Sequence, residues 1–475
     1  MRPRGVQHNP AALYRDGVNS LPRASRFFLL FTLAGAWFLN APAFGQGLNE
    51  TAKLLPSDGA TDDYFGWSIA IHNGVVAVGV PYNDDSGSNS GSAYLFDAAT
   101  GTQLAKLLPN DPATGDQFGW SVAIHNGVVV VGSWLDDDNG NSSGSAYLFD
   151  AATGTQTAKI LPNDGAADDQ FGWSVAIDNG IVAVGAWFDD DNGSNSGSAY
   201  LFDAATGTQT AKLLPNDPAV NDWFGVPIAI HNGLVAVGAI GDDDNGTNSG
   251  SAYLFDAATG TQTAKLLPND GAPSDRFGRS IDIHNGLVAA GAPFDDDDGD
   301  DSGSAYLFDA ATGTQTAKLL RADPAAKDKF GHAVGIANGL VAVGTPYDAD
   351  NGGASGSAYL FDAATRTQLA KLLPTDGASG DRFGRTLAID NRLVAGGSWG
   401  DDDNGPASGS AHTFDVRCPG TQTADLNGDG VLDNADIGAF INLYLAGDLA
   451  ADMTGDGILD NGDIGVFIQR FLAGC

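Results

Sequence analysis

The sequence is poor in most of what an enzyme or a nucleic-acid-binding protein needs. Among 475 residues there are two cysteines, Cys418 and Cys475. A disulfide framework is therefore excluded as the basis of the core. Lysine and arginine together number 23 against 59 acidic residues, for a net charge of −36. Nucleic acid is not a partner for such a surface, because phosphate contacts need clustered basic side chains. Glutamate occurs once, at Glu50. Hydrolysis by a placed pair of carboxylates would have to draw on aspartates that recur in near-identical copies. No unique set of nucleophile, base and orienting group stands out, so a non-catalytic role is expected. Long apolar runs are missing too. The longest, Phe27 to Leu39, is short of the roughly 20 residues that span a bilayer. It follows Arg2, Arg4, Arg15, Arg23 and Arg26 and precedes Ala41-Pro42-Ala43, the layout of an export signal. Residues 1–45 are expected to be that signal, cleaved after Ala43 or Gly45. The mature protein is then secreted or held at a bacterial cell surface, without a transmembrane segment. An acidic exported chain suits divalent cations or a saline medium.

What the chain has in abundance is glycine and repetition. A Phe-Gly pair returns every 53 residues, at Phe65, Phe118, Phe171, Phe224, Phe277, Phe330 and Phe383, with no insertion or deletion. A unit of that length holds four short strands and cannot bury its apolar face alone. In the third unit, apolar and polar residues alternate on both sides of Asn179-Gly180. That dipeptide marks a tight hairpin, because a type I′ turn needs positive φ at both central residues. Strands are expected at Ser174–Ile177 and Ile181–Ala186, then in SAYLFD and TAKLL. The Asn-Gly turn recurs except in the seventh unit, where Asn391-Arg392 predicts another turn type. The first strand found, Thr51–Leu55, belongs to the fourth position of a unit. The last unit lacks that strand and ends at Phe414. The spare strand can complete the last unit, which predicts a closed seven-bladed β-propeller over residues 48–417. The rival, an open solenoid, would need caps at its ends.

The Phe-Gly pair, the Ala290-Gly291-Ala292-Pro293 type of second strand and the GSAYLF third strand resemble the FG-GAP repeats of the integrin α-chain propeller and its bacterial relatives. The resemblance implies an all-β propeller fold. It does not carry over the calcium loop of integrin blades, because the first hairpin here is only His-Asn-Gly or Asp-Asn-Gly.

Alternating strand direction puts 38 of the 59 acidic residues on one rim of the ring. They lie in the loops between second and third strands, as at Asp136, Asp137 and Asp138, and between units, as at Asp164, Asp168 and Asp169. Calcium, which takes six to eight oxygens, is one reading of these loops. A solvated acidic face with Asx turns is the other. Residues beside the Phe-Gly pairs break the repeat. After the pair come Trp67, Trp120, Trp173, Val226, Arg279, His332 and Arg385. Before it come Tyr64, Gln117, Gln170, Trp223, Arg276, Lys329 and Arg382. One sector of the rim is thus expected to be aromatic and the opposite one basic. Trp67, Trp120, Trp173, Trp223, Arg276, Arg279, Lys329, His332, Arg382 and Arg385 become candidate ligand contacts, for a protein or for an anionic polysaccharide. The competing reading lets the basic groups neutralise neighbouring aspartates and the tryptophans fill gaps between blades. His72, His125, His231 and His284 lie in separate hairpin turns and carry no expected metal site. The seven lysines from Lys53 to Lys371 fall on outer strands, where charge blocks edge pairing.

After Cys418 the sequence changes. Asp425, Asn427, Asp429, Val431, Asp433 and Asp436 stand at positions 1, 3, 5, 7, 9 and 12 of a calcium loop, with Val431 offering its carbonyl. The pattern returns 27 residues later with Asp452, Thr454, Asp456, Ile458, Asp460 and Asp463. Each loop leads into an apolar helix, in which Ile437, Phe440, Ile441, Tyr444 and Leu445 match Ile464, Phe467, Ile468, Phe471 and Leu472. Residues 418–475 resemble a dockerin, and the Gly474-Cys475 end resembles the GC-type dockerins of planctomycete surface proteins. The resemblance implies two calcium ions and a cohesin-like or envelope partner. Asn434-Ala435 and Asn461-Gly462 replace the usual Ser-Thr recognition pair. Cys418 and Cys475 bracket the module, either as a clasp disulfide or with Cys475 free for attachment. The expected function is an exported adhesion-type protein whose ring binds a ligand or acts as a spacer. The alternative is a component of a polysaccharide-degrading complex.

Overall fold

In the structure, a computed structural model, Asn-Gly makes the hairpins that the sequence predicts. Asn73 and Gly74 both have positive φ, 50° and 77°. Pairing then runs from His72↔Val75 to Ser68↔Gly79. In the seventh unit Asn391 has φ 53° and Arg392 stays outside the positive region. The turn type changes, and the Asp390↔Leu393 register survives. The structure describes residues 48, 50–416, 426, 434–451, 453, 459 and 463–468. The expected signal peptide, Cys418 and Cys475 lie outside them.

Ser68–His72, Val75–Val80, Ser92–Asp97 and Gln103–Leu107 form one antiparallel sheet in that order, and five more such sheets follow. The seventh takes Thr386–Asp390, Leu393–Ser398 and Ser410–Asp415, and its outer strand is the N-terminal Glu50–Leu54. Lys53 pairs with His412 and Leu54 with Ala411. The ring is closed by its own first strand, and the open solenoid is excluded. The second and third strands are buried nearly throughout, so they read as continuous apolar runs. Core clusters lie between neighbouring blades. One joins Phe65, Val76, Val78, Tyr94 and Phe96 of the first blade to Ala395 and Ala411 of the seventh.

The Phe-Gly pair is the middle of a four-residue turn. The Trp67 amide donates to the Tyr64 carbonyl at 3.2 Å. Gly66 has φ 88°, as the third position of a type II turn requires. Phe65 is fully buried, with its ring 5.8 and 5.6 Å from those of Tyr94 and Phe96. A Cβ on Gly66 would stand 2.4 Å from the Ser410 carbonyl oxygen of the preceding blade, and one on Gly119 would stand 2.2 Å from that of Ser92. The close approach is thus to the neighbouring blade's third strand, not to the ring axis. Across the same seam the Ser68 hydroxyl donates to the Gly119 carbonyl at 2.9 Å, and Thr386 donates to Gly66 at 3.0 Å.

In the C-terminal module, helix α1 (Asn434–Ala446) and a helical stretch at 463–468 pack through Phe440 and Phe467. These rings stack at 4.1 Å and 9°. They are 27 residues apart, as the repeated loops require. Ile441, Leu445 and Ile468, which match them in apolar spacing, are exposed. No helix among the described residues is long and apolar enough to cross a membrane.

Candidate functional site

The turn that carries Phe-Gly delivers the next residue to the ring axis. Trp67, Trp120, Trp173, Val226, Arg279, His332 and Arg385 together line the mouth of the central channel, around a cavity of about 270 Å³. The residue before the pair is held in the left-handed region in every blade, from Tyr64 at 56° to Arg382 at 59°. Its side-chain direction is thereby fixed. The ten candidate ligand contacts therefore do gather on one face.

Their arrangement differs from two opposed sectors. Trp67, Trp120 and Trp173 form an arc with ring centroids 4.9 and 4.8 Å apart. The arc continues through residues that the sequence reading missed. These follow the second strand: Tyr82, Trp134, Trp187, Phe188, Phe294, Tyr347 and Trp399. Trp134 lies 5.0 Å from Trp120, and Trp187 lies 4.3 Å from Trp173. All seven tryptophans among the described residues belong to this belt, and the eighth, Trp37, lies outside them. The signal was available, because an aromatic residue stands within three positions of the glycine that ends the apolar run in six of the seven second strands (Gly79, Gly132, Gly185, Gly291, Gly344 and Gly397). The belt also runs beneath the basic sector. Lys329 Nζ sits 4.3 Å from the Phe294 ring, and Arg382 sits 4.4 Å from Trp399. Arg385 sits 4.1 Å from Trp67 and 5.5 Å from Trp399. Aromatic and basic groups are stacked, not segregated.

The five cations Arg276, Arg279, Lys329, Arg382 and Arg385 have no carboxylate within ion-pair distance among the described residues. The reading that they neutralise nearby aspartates is thus overturned. Burial pulls the Arg279 guanidinium below its ordinary range, with Arg276 adding to the effect. Burial and the nearby Arg279 bring Arg385 down to about 10. Burial, then Arg279 and Arg385, push His332 well below the usual imidazole value. The His332 Nδ1 lies 3.2 Å from the Arg385 carbonyl oxygen. A carbonyl only accepts, so Nδ1 carries the proton there.

The acidic loops have their own internal cations. Lys159 reaches Asp111, Asp136 and Asp138 at 2.8, 2.9 and 2.6 Å. Its Nζ also stands 5.1 Å from the Tyr147 ring, whose hydroxyl donates to Asp136 at 2.8 Å. Lys53, Lys212, Lys265, Lys318 and Lys371 each hold a corresponding carboxylate triad. Lys106 pairs with Asp58 and Asp85, since Asn83 replaces the third acid. These lysines join strand to loops and do more than guard an outer edge. The Asx turns are present too, with Asp138 N donating to Asp136 and Ser142 N to Asp137.

Seven consecutive segments, 48–96, 102–149, 155–202, 208–255, 261–308, 314–361 and 367–414, match the FG-GAP repeat. The chain belongs to the FG-GAP repeat family. A comparison with curated proteins finds no match.

At the other end of the FG-GAP ring, the four histidines expected to lie apart come together in pairs. The His72 and His125 rings lie 4.3 Å apart, tilted by 34°, and those of His231 and His284 lie 4.5 Å apart, tilted by 33°. Equivalent positions on adjacent blades are neighbours in space, so the period of 53 is itself the contact spacing. Asp178 follows His125 at 3.5 Å. Burial and the adjacent histidine lower His125 and His284. Where the ring closes, Glu50 accepts from His412 Nδ1 at 2.8 Å, and His412 Nε2 lies 3.0 Å from the Ser410 hydroxyl. This chain has the order of a hydrolase triad. However, Ser410 and His412 are fully buried, and the Ser410 hydroxyl donates to Asp401 at 3.0 Å. No substrate reaches it.

Of the expected calcium ligands, Asp436 and Asp463 are described, and the other ten lie outside the described residues. Both are fully buried at the start of their helical segments, and Leu426 N donates to Asp436 at 3.0 Å. Two buried carboxylates at matching positions fit a pair of cation loops. Asp425, Asn427, Asp429, Val431 and Asp433 would complete the first loop, and Asp452, Thr454, Asp456, Ile458 and Asp460 the second.

Proposed function

We propose that this is an exported, non-catalytic binding protein. Its FG-GAP ring holds a protein or glycan ligand on the face that bears the channel mouth. Residues 418–475 attach it, in a calcium-dependent way, to a cohesin-like scaffold or to the cell envelope. The carrying observation is the belt of closely packed aromatic rings and unpaired cations around a cavity, on a protein whose other rim cations are paired among the described residues. Such surfaces combine apolar area with directional polar groups, as ligand sites do. The burial of the single Ser-His-Glu chain and the family's generally non-catalytic character favour binding over hydrolysis.

The test applies the full chain to glycan and protein arrays, beside Trp120→Ala. Loss of the ligand with an unchanged melting temperature supports the mouth as the site. Ligand retained at full strength by Trp120→Ala refutes it. Attachment is tested separately on isolated envelopes with and without a chelator. Binding unaffected by the chelator rules out the calcium-dependent part.

A further inference from the structure

Arg279 and Arg385 are the two charged mouth residues that meet no carboxylate among the described residues. This is not a matter of supply. The chain has 59 acidic residues, and Lys159 alone collects three of them. The mouth excludes carboxylates while admitting three basic side chains from blades five, six and seven, Arg279, His332 and Arg385. At the same position the first three blades carry tryptophan.

Desolvated cations without partners are unfavourable, and one that repels another is more so. Both effects are present: burial and Arg276 act together on Arg279, and burial and Arg279 act together on Arg385. An anion entering the cavity would relieve this. The guanidinium of Arg385 lies against the face of Trp67. Stacking occupies its face and leaves its N–H edge for an oxyanion, which is how arginine reads planar carboxylate or sulfate groups. Beside it runs the half-buried arc Trp67, Trp120 and Trp173. An aromatic arc next to an oxyanion pocket fits a cyclic sugar that bears an acid group. An extended acidic peptide would present charge along its whole length to a rim that holds 38 acidic residues.

We infer that the channel mouth is an anion site, in which Arg279 and Arg385 bind the carboxylate or sulfate of one sugar of an anionic glycan while the tryptophan arc packs against the glycan chain. This rests on the reading of the mouth face as the ligand-binding surface and adds the ligand's chemistry.

The test uses the full chain and three probes in calorimetric titration. They are a uronate oligosaccharide, the same oligosaccharide with its carboxylates reduced to alcohols, and a poly-aspartate peptide of equal charge. A sulfated oligosaccharide separates the two oxyanions. The variants are Arg279→Met, Arg385→Met, Trp120→Ala and, as an off-site control, Lys327→Met. The acidic oligosaccharides should bind. Reducing the carboxylates, or replacing either arginine, should weaken binding at least tenfold, in line with one lost charge-assisted hydrogen bond. Lys327→Met should bind as the parent does. Tighter binding of poly-aspartate, or equal binding of the reduced oligosaccharide, overturns the inference. Arginine variants that bind normally while Trp120→Ala does not overturn it and leave the mouth face standing. Binding of no probe, or binding that none of the mouth variants weakens, counts against both. Folding is followed independently. Removing an unpaired, half-buried cation should leave the melting temperature level or raise it, and inorganic sulfate should raise it in the parent and not in the double arginine variant. Destabilised variants and a sulfate shift that persists without both arginines contradict the site.

Discussion

At the scale of single residues, the same side-chain type does different work according to whether its charge is matched. Lys159 sits among three carboxylates over a tyrosine ring, and its ammonium is held well above the ordinary lysine range despite burial. Lys329 sits over two aromatic rings with no carboxylate. The first is structural. Lys159→Ala should cost about 3 kcal/mol in urea unfolding, because Asp136 is buried and would lose its cation. Added calcium should restore part of that loss in the variant and do nothing for the parent blade, whose lysine fills the place. A neutral outcome for Lys159→Ala would show that the triads are surface decoration. The repeat of Lys and of Asp was legible in the sequence. Their meeting was not, because Lys159 and Asp111 are 48 residues apart and nothing local links an outer strand to the loop beneath it.

At the scale of elements, strand order, hairpin type and closure were legible because each has a local chemical signature. Asn-Gly fixed the hairpins, and the odd Arg392 was readable as a changed turn. The spare first strand pointed to closure. How that closure is secured was hidden, because Glu50 and His412 are at opposite ends of the ring sequence. Burial alone would raise the Glu50 carboxyl, yet hydrogen bonds from His412 and Thr375 hold it down at about 2. A depressed carboxyl stabilises fully above its unfolded value, about 4.3, and loses that contribution as pH falls toward 2. Asp169, Asp222 and Asp275 oppose it. Burial raises each to about 6. Their contribution is complete below the unfolded value of about 3.9 and fades as pH rises through 6. Three aspartates outweigh one glutamate, so thermal stability should peak at or just below about pH 4 and decline toward pH 6. Glu50→Gln should lower stability at pH 7, and the gap should narrow below about pH 4 and close only as pH approaches 2. A constant gap down to pH 2 would mean that the closure does not depend on the ionised Glu50 carboxylate.

At the scale of the whole molecule, the ring and the C-terminal module are expected to treat calcium differently. The ring's acidic loops receive lysines from the outer strands, whereas the module's buried Asp436 and Asp463 have matching positions in two acidic loops. A chelator should abolish a low-temperature unfolding transition and leave the main one in place. Loss of the main transition would mean that the ring itself needs metal. The mouth was only half legible. The Trp-to-Arg drift around the Phe-Gly pairs was visible in the repeat. The aromatic after the second-strand glycine was also visible in six units, but its place beneath the cations was not, because only the fold lays those residues under the basic sector.

The central claim is that ligand binds at the mouth, and the chain carries its own reporter of that event. Seven of eight tryptophans stand in the belt. Intrinsic tryptophan fluorescence of the full chain, titrated with a uronate oligosaccharide, should change saturably with the affinity seen by calorimetry, and the change should vanish when Arg279 and Arg385 are both replaced by methionine. An oligosaccharide that binds by calorimetry and leaves the tryptophan emission untouched would place the ligand elsewhere and contradict the account.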